Sequence, residues 1–526
     1  MDADAIGTIT WIVAFVLVTV TVTGLVGKIG FSAPVALVVV GGAVSFIPGI
    51  PQVAVEPDLI LYGLLPPLLF AAAIRTSIID VRGRGDSILL LSVGLVAFTV
   101  ITVGFATWML VPTITLAAGF AFAAVVAPTD AVAVTAIAGR LGLPRRVVTI
   151  LEGESLLNDA TALVALNASI AAIVSIVNPV EIGVEFALAV IVGGGVGLAI
   201  GFIGSNVRKL LKSAVLDTSL SLVIPFTTFL LAQFLHGSGV LAVVIAGLYL
   251  GFNSPSVSSA DARIAERLNW RTIQFLLENA VFLFIGLNLA SILEGAIRTG
   301  PGVWETIWIC VGVLLALVVT RFAWVMATTV LYRRGPKYLR PRSWAWGNGV
   351  VVASAGVRGV VTLAAVFLLP EETPMREFLQ FLAFVVVVAS LIGGLFLPMI
   401  IRGLKLPQPN LMQETTERRN LMAEARQAGI VRLEKEASPD DEARVIDALR
   451  QDAAFLSDTL DNYDDEEAVP QLKSYHRLRK HMIIAEREAV LAARREGRYQ
   501  EPAIIAVLKA IDAEETSLRA SAPEKG

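Results

Sequence analysis

Gly153-Glu154-Ser155-Leu156-Leu157-Asn158-Asp159-Ala160-Thr161 puts two carboxylates, an amide and two hydroxyls inside an apolar run that otherwise reads as a membrane-buried helix. An ionisable side chain near the bilayer centre costs about 2.5–3.5 kcal/mol on insertion scales, so it is a functional candidate by default. With about 100° of helix rotation per residue, Ser155 and Asp159 share a face. Glu152, one heptad before Asp159, falls near the same stripe, while Glu154 points well away from it. Ser155 and Asp159 are therefore placed to share one ligand, and Glu154 needs a different partner. Asp159 is the residue expected to carry the chemistry.

The rest of the chain fits a membrane setting. Hydrophobic residues make up 55% and charged residues 17% of 526 residues, and the mean hydropathy is +0.73. Soluble domains carry about a quarter charged residues, so the composition is that of a polytopic membrane protein. A net charge of −3 gives no support to nucleic-acid binding. The single cysteine, Cys310, excludes an internal disulfide framework and reads as a small hydrophobe in an apolar run. The acidic start, Met1-Asp2-Ala3-Asp4, and an apolar run of full span length read as a retained first transmembrane helix, not a signal peptide.

Apolar runs of about 17–25 residues mark spans. Thirteen are expected, near 8–27, 31–47, 58–74, 87–111, 114–138, 146–174, 181–205, 215–235, 238–252, 270–293, 303–332, 345–369 and 377–401. Lys and Arg fall in alternate loops: Lys28, then Arg75, Arg82 and Arg84, then Arg140, Arg145 and Arg146, and so on through Arg333 and Arg334. The intervening loops hold little beyond Arg298 and Arg376. By the positive-inside rule the N-terminus lies outside and the C-terminus in the cytoplasm. A transmembrane domain over 1–402 is thus expected to precede a small, charged, cytoplasmic helical domain over 403–526. The tail's helical segments are expected near 410–437, 439–461, 470–497 and 501–518. Its acidic run, Asp461-Asn462-Tyr463-Asp464-Asp465-Glu466-Glu467, lacks the glycine and spacing of a calcium loop and reads as a solvated linker.

Two spans are interrupted. In the fifth, Ala127-Pro128-Thr129-Asp130, proline breaks the helix, frees carbonyls at membrane depth and leaves Asp130 at the start of a second half-helix, where the dipole favours a carboxylate. In the twelfth, Gly356-Val357-Arg358-Gly359, two glycines flank an arginine. Breaks at corresponding places in two halves point to a transporter binding site, and two inverted six-span repeats around a linking seventh make the fifth and twelfth equivalent. Arg358 keeps its charge and needs an anion; Glu154 is the expected partner in a structural ion pair. Arg321 is a second buried cation, with a carboxylate or half-helix carbonyls as alternative partners. Asn279 and Asn288 read as interhelical hydrogen-bonding groups. No Cys/His cluster or Gly-rich phosphate loop is present, so neither an enzyme nor a resident cofactor is expected.

Taken together, Ala127-Pro128-Thr129-Asp130, Gly153-Glu154-Ser155-Leu156-Leu157-Asn158-Asp159 and Gly356-Val357-Arg358-Gly359 resemble the signatures of the cation–proton antiporter superfamily, within it the NhaP-like sodium/proton exchanger branch. The resemblance covers roughly the first 400 residues. It implies a homodimer, each protomer with a dimerisation domain and a core domain holding two crossed, unwound helices; short loops and the absence of a transit peptide fit a bacterial plasma membrane. It implies Asp159 as the proton- and ion-exchanging carboxylate and Ser155 and Thr129 as further oxygen ligands of Na+. Asn158 and Asp130 then stabilise the crossed half-helices, and Glu154 and Arg358 form the intramembrane ion pair. Asn158-Asp159 is similar to the dipeptide of electroneutral exchangers. One departure is Ala71-Ala72-Ala73 after Phe70, where many relatives carry an acidic residue.

The physics is compatible with exchange. Desolvation penalises a charged carboxyl, so a withdrawn one holds a proton or a small hard cation in turn. Competition at one such group plus alternating access suffices for antiport, one sodium for one proton. The alternatives are potassium/proton exchange in the same family, a cation channel, an anion transporter using half-helix N-termini, and a sensor with the tail as output. Channels build symmetric pores or filter loops, and neither pattern is visible here.

Overall fold

The computed structural model describes residues 3–29, 32–48, 58–111, 113–130, 143–174, 179–336, 344–404, 411–437, 444, 446–447, 450, 468–496 and 501–521. The chain divides into two compact units, Met1–Pro409 and Asn410–Gly526, and every regular element among the described residues is helical. The first unit runs through α1 (Ala3–Ile29), α2 (Ala33–Ser45), α3 (Leu59–Ala73), α4 (Gly85–Leu110), α5 (Leu116–Val126), α6 (Arg145–Val174), α7 (Pro179–Leu210) and α8 (Ala214–Phe234). It continues with α9 (Gly239–Val257), α10 (Ala260–Leu287), α11 (Leu289–Thr299), α12 (Val303–Arg334), the split pair α13 (Trp346–Ser354) and α14 (Val360–Ala365), and α15 (Arg376–Gly403).

Among the described residues, eight helices are long and apolar enough to cross a membrane, namely α4, α6 to α10, α12 and α15, and shorter apolar helices lie in α1, α2, α3 and α5. Large apolar side chains stand exposed on the outer faces, Leu17, Phe234, Trp304 and Met399 among them. A water-soluble surface does not carry such patches, and the chain is a polytopic membrane protein. Helix α10 begins at Ala260, ahead of the expected start at 270, because the Ser259 hydroxyl caps it by accepting from the Ala262 N–H at 3.2 Å. Asn279 and Asn288 do not bridge helices as expected. Each donates to a carbonyl of its own helix, Phe275 at 2.7 Å and Phe284 at 2.9 Å.

The helices pack as two sets. Helices α1–α3 contact α7–α10, and α4–α6 contact α11–α15. The first set closes without side chains between α2 and α10. A Cβ on Gly41 would stand 2.5 Å from the Leu283 carbonyl, and one on Gly286 2.6 Å from that of Val38, so the two backbones touch as small residues permit. Along the seam between the sets, α6 meets α3 and α9, and α14 meets α10.

Helix α5 stops at Val126, just before Pro128, as a proline break requires. The second half-helix expected beyond Asp130 lies outside the described residues. Helix α13 ends at Ser354, the Ala355 N–H still donates to the Val351 carbonyl at 2.8 Å, and four residues without helical structure follow before α14 resumes at Val360.

The second unit contains α16 (Leu411–Glu436), α17 (Ala468–Arg495) and α18 (Glu501–Ser521). Helices α17 and α18 pack together around Ile483, Ile504 and Ile511. Across them Arg487 pairs with Asp512 at 2.7 Å and Glu515 at 2.6 Å, and Arg479 pairs with Glu514. Most of the segment expected near 439–461, and the acidic run after it, lie outside the described residues.

Candidate functional site

Helix α6 separates its polar residues by face. Ser155 and Asp159 line a cavity of about 560 Å³, together with Thr129 and Asp130 from the fifth-span break, Glu152, and Gly359 to Thr362 from the twelfth. Among the described residues the Asp159 carboxylate makes no hydrogen bond and no ion pair. The cavity is open to an ion at this carboxylate.

Behind this wall Glu154 and Asn158 are held by hydrogen bonds, although the Asn158 Oδ1 itself has no partner among the described residues. Glu154 is 1% exposed. Its Oε1 lies 2.6 Å from Arg321 Nη1 and accepts the Thr129 hydroxyl at 3.0 Å, and its Oε2 accepts Arg321 Nη2 at 3.3 Å. Asn158 donates through Nδ2 to the Thr129 hydroxyl oxygen at 3.0 Å and to the Thr129 carbonyl at 3.3 Å. Asn158 thus ties α6 to the break in the fifth span, and the Thr129 hydroxyl proton is spent on Glu154.

Glu154 therefore pairs with Arg321, whereas the sequence reading pairs it with Arg358. The physical reason lies in the orphan carbonyls that end every helix. Arg358 donates through Nε to the carbonyl of Val126, the last residue of α5, at 3.2 Å, and through Nη1 to that of Gly356 at 2.5 Å. Arg321 serves α13 in the same way, donating to Val352 at 2.9 Å and Ala353 at 3.2 Å. Each guanidinium closes the C-terminal end of one half-helix, where the dipole favours a cation. Arg321 has donors left over, and it is these that hold Glu154.

The two breaks also meet directly. The Asp130 N–H donates to the Val357 carbonyl at 2.7 Å. Gly359 packs against the Asp130 carboxylate so closely that a Cβ there would collide with it. That contact explains a glycine at 359.

The opposite wall was not anticipated. It comes from α3 and α10 and contains Arg75, Gln274 and Glu278. Glu278 meets the criterion that singles out Asp159, an ionisable residue inside an apolar run, and the spacing of Glu266, Trp270, Gln274 and Glu278 puts one polar stripe along α10. Further along α6, Leu163, Asn167 and Ala171 line a second cavity of about 460 Å³ with Gln233 and His236. Asp159 and Leu163 are one turn apart, so the two cavities lie on either side of that turn.

The transmembrane sodium/hydrogen exchanger family profile matches residues 13–403. The chain belongs to the sodium/hydrogen exchanger family. It is 32% identical over 408 residues to an uncharacterized Na+/H+ exchanger of Mycobacterium tuberculosis, covering 76% of this chain and 74% of that one. It is 30% identical over 441 residues to a sodium, potassium, lithium and rubidium/H+ antiporter of Bacillus subtilis, covering 79% of this chain and 65% of that protein. In fold, the exchanger is similar to the sodium proton antiporter MjNhaP1 from Methanocaldococcus jannaschii at pH 8, with a TM-score of 0.62 at 18% identity over 76% of this chain and 99% of the other.

Proposed function

We propose that this exchanger is a secondary active antiporter in which a monovalent cation and a proton compete for Asp159. One observation carries the reading: Asp159 faces the cavity without a partner among the described residues, while the neighbouring Glu154 is neutralised by Arg321. A carboxylate with no ion-pair partner binds one cation or one proton, because two positive charges beside one negative are disfavoured. Ser155 and Thr129 supply neutral oxygens on the same cavity, suited to a hard cation. Asn158 and Asp130 shape the site, and the Arg321–Glu154 pair and Arg358 hold the breaks that form it.

Sodium is the proposed cargo, exchanged one for one with a proton. Potassium is the rival, favoured by the range of cations in the name of the Bacillus subtilis relative. Cavities on both sides of the Asp159–Leu163 turn support alternating access. We assign exchange to residues 1–402, with dimerisation and core subdomains, and place the helical domain 403–526 in the cytoplasm. The alternation of basic loops supports an N-terminus outside the cell membrane, and membership of the family supports a homodimer.

The test is cation-driven proton movement in proteoliposomes carrying a pH dye, with sodium, potassium and lithium, for the native protein and Asp159→Asn. Saturable proton flux that vanishes in the variant is expected. Flux that survives in folded Asp159→Asn moves the exchanging group elsewhere, and net current during exchange refutes the one-for-one ratio.

A further inference from the structure

The cavity wall facing Asp159 belongs to the other helix set and carries charges that the exchange reading leaves unused. Glu278 of α10 lines the cavity. Its Oε1 accepts a hydrogen bond from Gln274 Nε2 at 2.5 Å, one helical turn earlier. The Gln274 oxygen in turn accepts from the Arg75 guanidinium, whose Nε is anchored on the Ala71 carbonyl at 3.1 Å. Arg75 is exposed, Gln274 buried and Glu278 half-buried, so a cation, an amide and a carboxylate follow one another along the cavity wall. The rest of the wall is Leu68, Leu69, Ala72 and Thr76, whose hydroxyl donates to the Ala72 carbonyl at 2.9 Å.

This relay fixes the amide with its N–H end towards Glu278. It occupies one carboxylate oxygen and leaves Oε2 without a hydrogen bond among the described residues. A helix pair of this kind on its own contributes little, and a half-satisfied carboxylate on this wall is costly unless something in the cavity completes it. A cation entering past Arg75 meets that free oxygen on the side opposite Asp159.

We infer that Glu278 is a second cation-binding carboxylate of the exchange cavity, oriented by Gln274 and Arg75 and setting affinity for the cation rather than the exchange ratio. The inference rests on the exchange reading above. The Arg75 charge offsets that of Glu278, so Glu278 adds an oxygen ligand without adding net charge, and proton exchange stays with Asp159. Removing the Glu278 charge then weakens binding and leaves the exchange step in place.

The experiment titrates sodium on full-length native, E278Q, E278D and D159N protein in proteoliposomes, with the sodium-induced rise in melting temperature as a direct binding readout. Loss of one charged oxygen ligand predicts an apparent KM for sodium raised about tenfold or more in E278Q, with the maximal rate within about twofold of native. E278D should recover most of the loss. An unchanged KM in E278Q overturns the inference, and so does a fallen maximal rate at unchanged KM and unchanged sodium-induced shift. Should E278Q prove misfolded by size-exclusion profile, Q274A, which keeps the Glu278 side chain and removes the amide that orients it, decides instead: a raised KM at a near-native maximal rate supports the inference, and a KM equal to native refutes it. Exchange persisting in D159N defeats the Asp159 reading by itself, whatever E278Q shows.

Discussion

Asp159 and Arg208 are both ionisable residues inside the helical bundle, and their surroundings differ in kind. Arg208, at the end of α7, is 0% exposed. Its Nε lies 2.5 Å from Asp217 Oδ1 and its Nη2 3.0 Å from Glu266 Oε1. Glu266 also accepts from the Ser221 hydroxyl at 2.7 Å, and that hydroxyl oxygen accepts from the Trp270 indole at 2.9 Å. This cluster joins α7, α8 and α10 and gives both carboxylates protein donors. Asp159 faces a cavity with nothing on its oxygens among the described residues. The contrast separates a charge used as a fastener from a charge kept available.

That contrast breaks if activity and stability fail together at both places. Asp159→Asn should lower proton flux by at least about two orders of magnitude, the span that loss of an essential proton-transfer group covers, with an unchanged melting temperature. Arg208→Gln strands two buried carboxylates, a loss of about 3–5 kcal/mol when a buried pair loses one partner. It should show as a lower melting temperature and less folded protein, with exchange per folded molecule retained. If Arg208→Gln abolishes flux at native stability, the cluster belongs to the transport machinery instead.

The same logic applies on a smaller scale to the two arginines that close the half-helices. Arg321→Gln leaves Glu154 charged and buried beside a single hydroxyl, again about 3–5 kcal/mol. Arg358→Gln frees two carbonyls, of Val126 and Gly356, at about 1–3 kcal/mol for buried groups left unsatisfied. Thermal melting should therefore rank Arg321→Gln below Arg358→Gln. The reverse order indicates that Arg358, and not Arg321, neutralises Glu154 in the working protein.

These residues also show what a sequence makes legible. Helical periodicity is local, so spacing sufficed to put Ser155 and Asp159 on one face and Glu154 on another. Helix breakers are local too, and α5 and α13 end where Pro128 and Gly356 say they must. The partner of Glu154 was not local. It depended on which of two arginines, 37 residues apart in sequence (321 and 358), had donors free after serving a helix end, and only the packing of α12 against α13 decides that. Glu278 was legible by the same criterion as Asp159 but stands outside the three motifs, so the resemblance drew no attention to it.

The smallest expected effect sharpens the comparison by holding distance fixed. Arg298 Nη2 and Glu377 Oε1 are 2.7 Å apart, nearly the 2.6 Å of Arg321 and Glu154, but their side chains are 72% and 37% exposed against 5% and 1%. Water and counter-ions screen the exposed pair in both the folded and the unfolded chain, and ordering two long side chains offsets much of the attraction. Arg298→Ala should therefore shift stability by no more than about 1 kcal/mol, measured by the same melting assay, and should leave flux unchanged. A loss as large as that of Arg321→Gln shows that contact distance, not removal from water, sets the energy of these pairs. In that case the case for Asp159 as a charge kept available loses its physical basis, because exposure to the cavity would no longer distinguish it from Glu154.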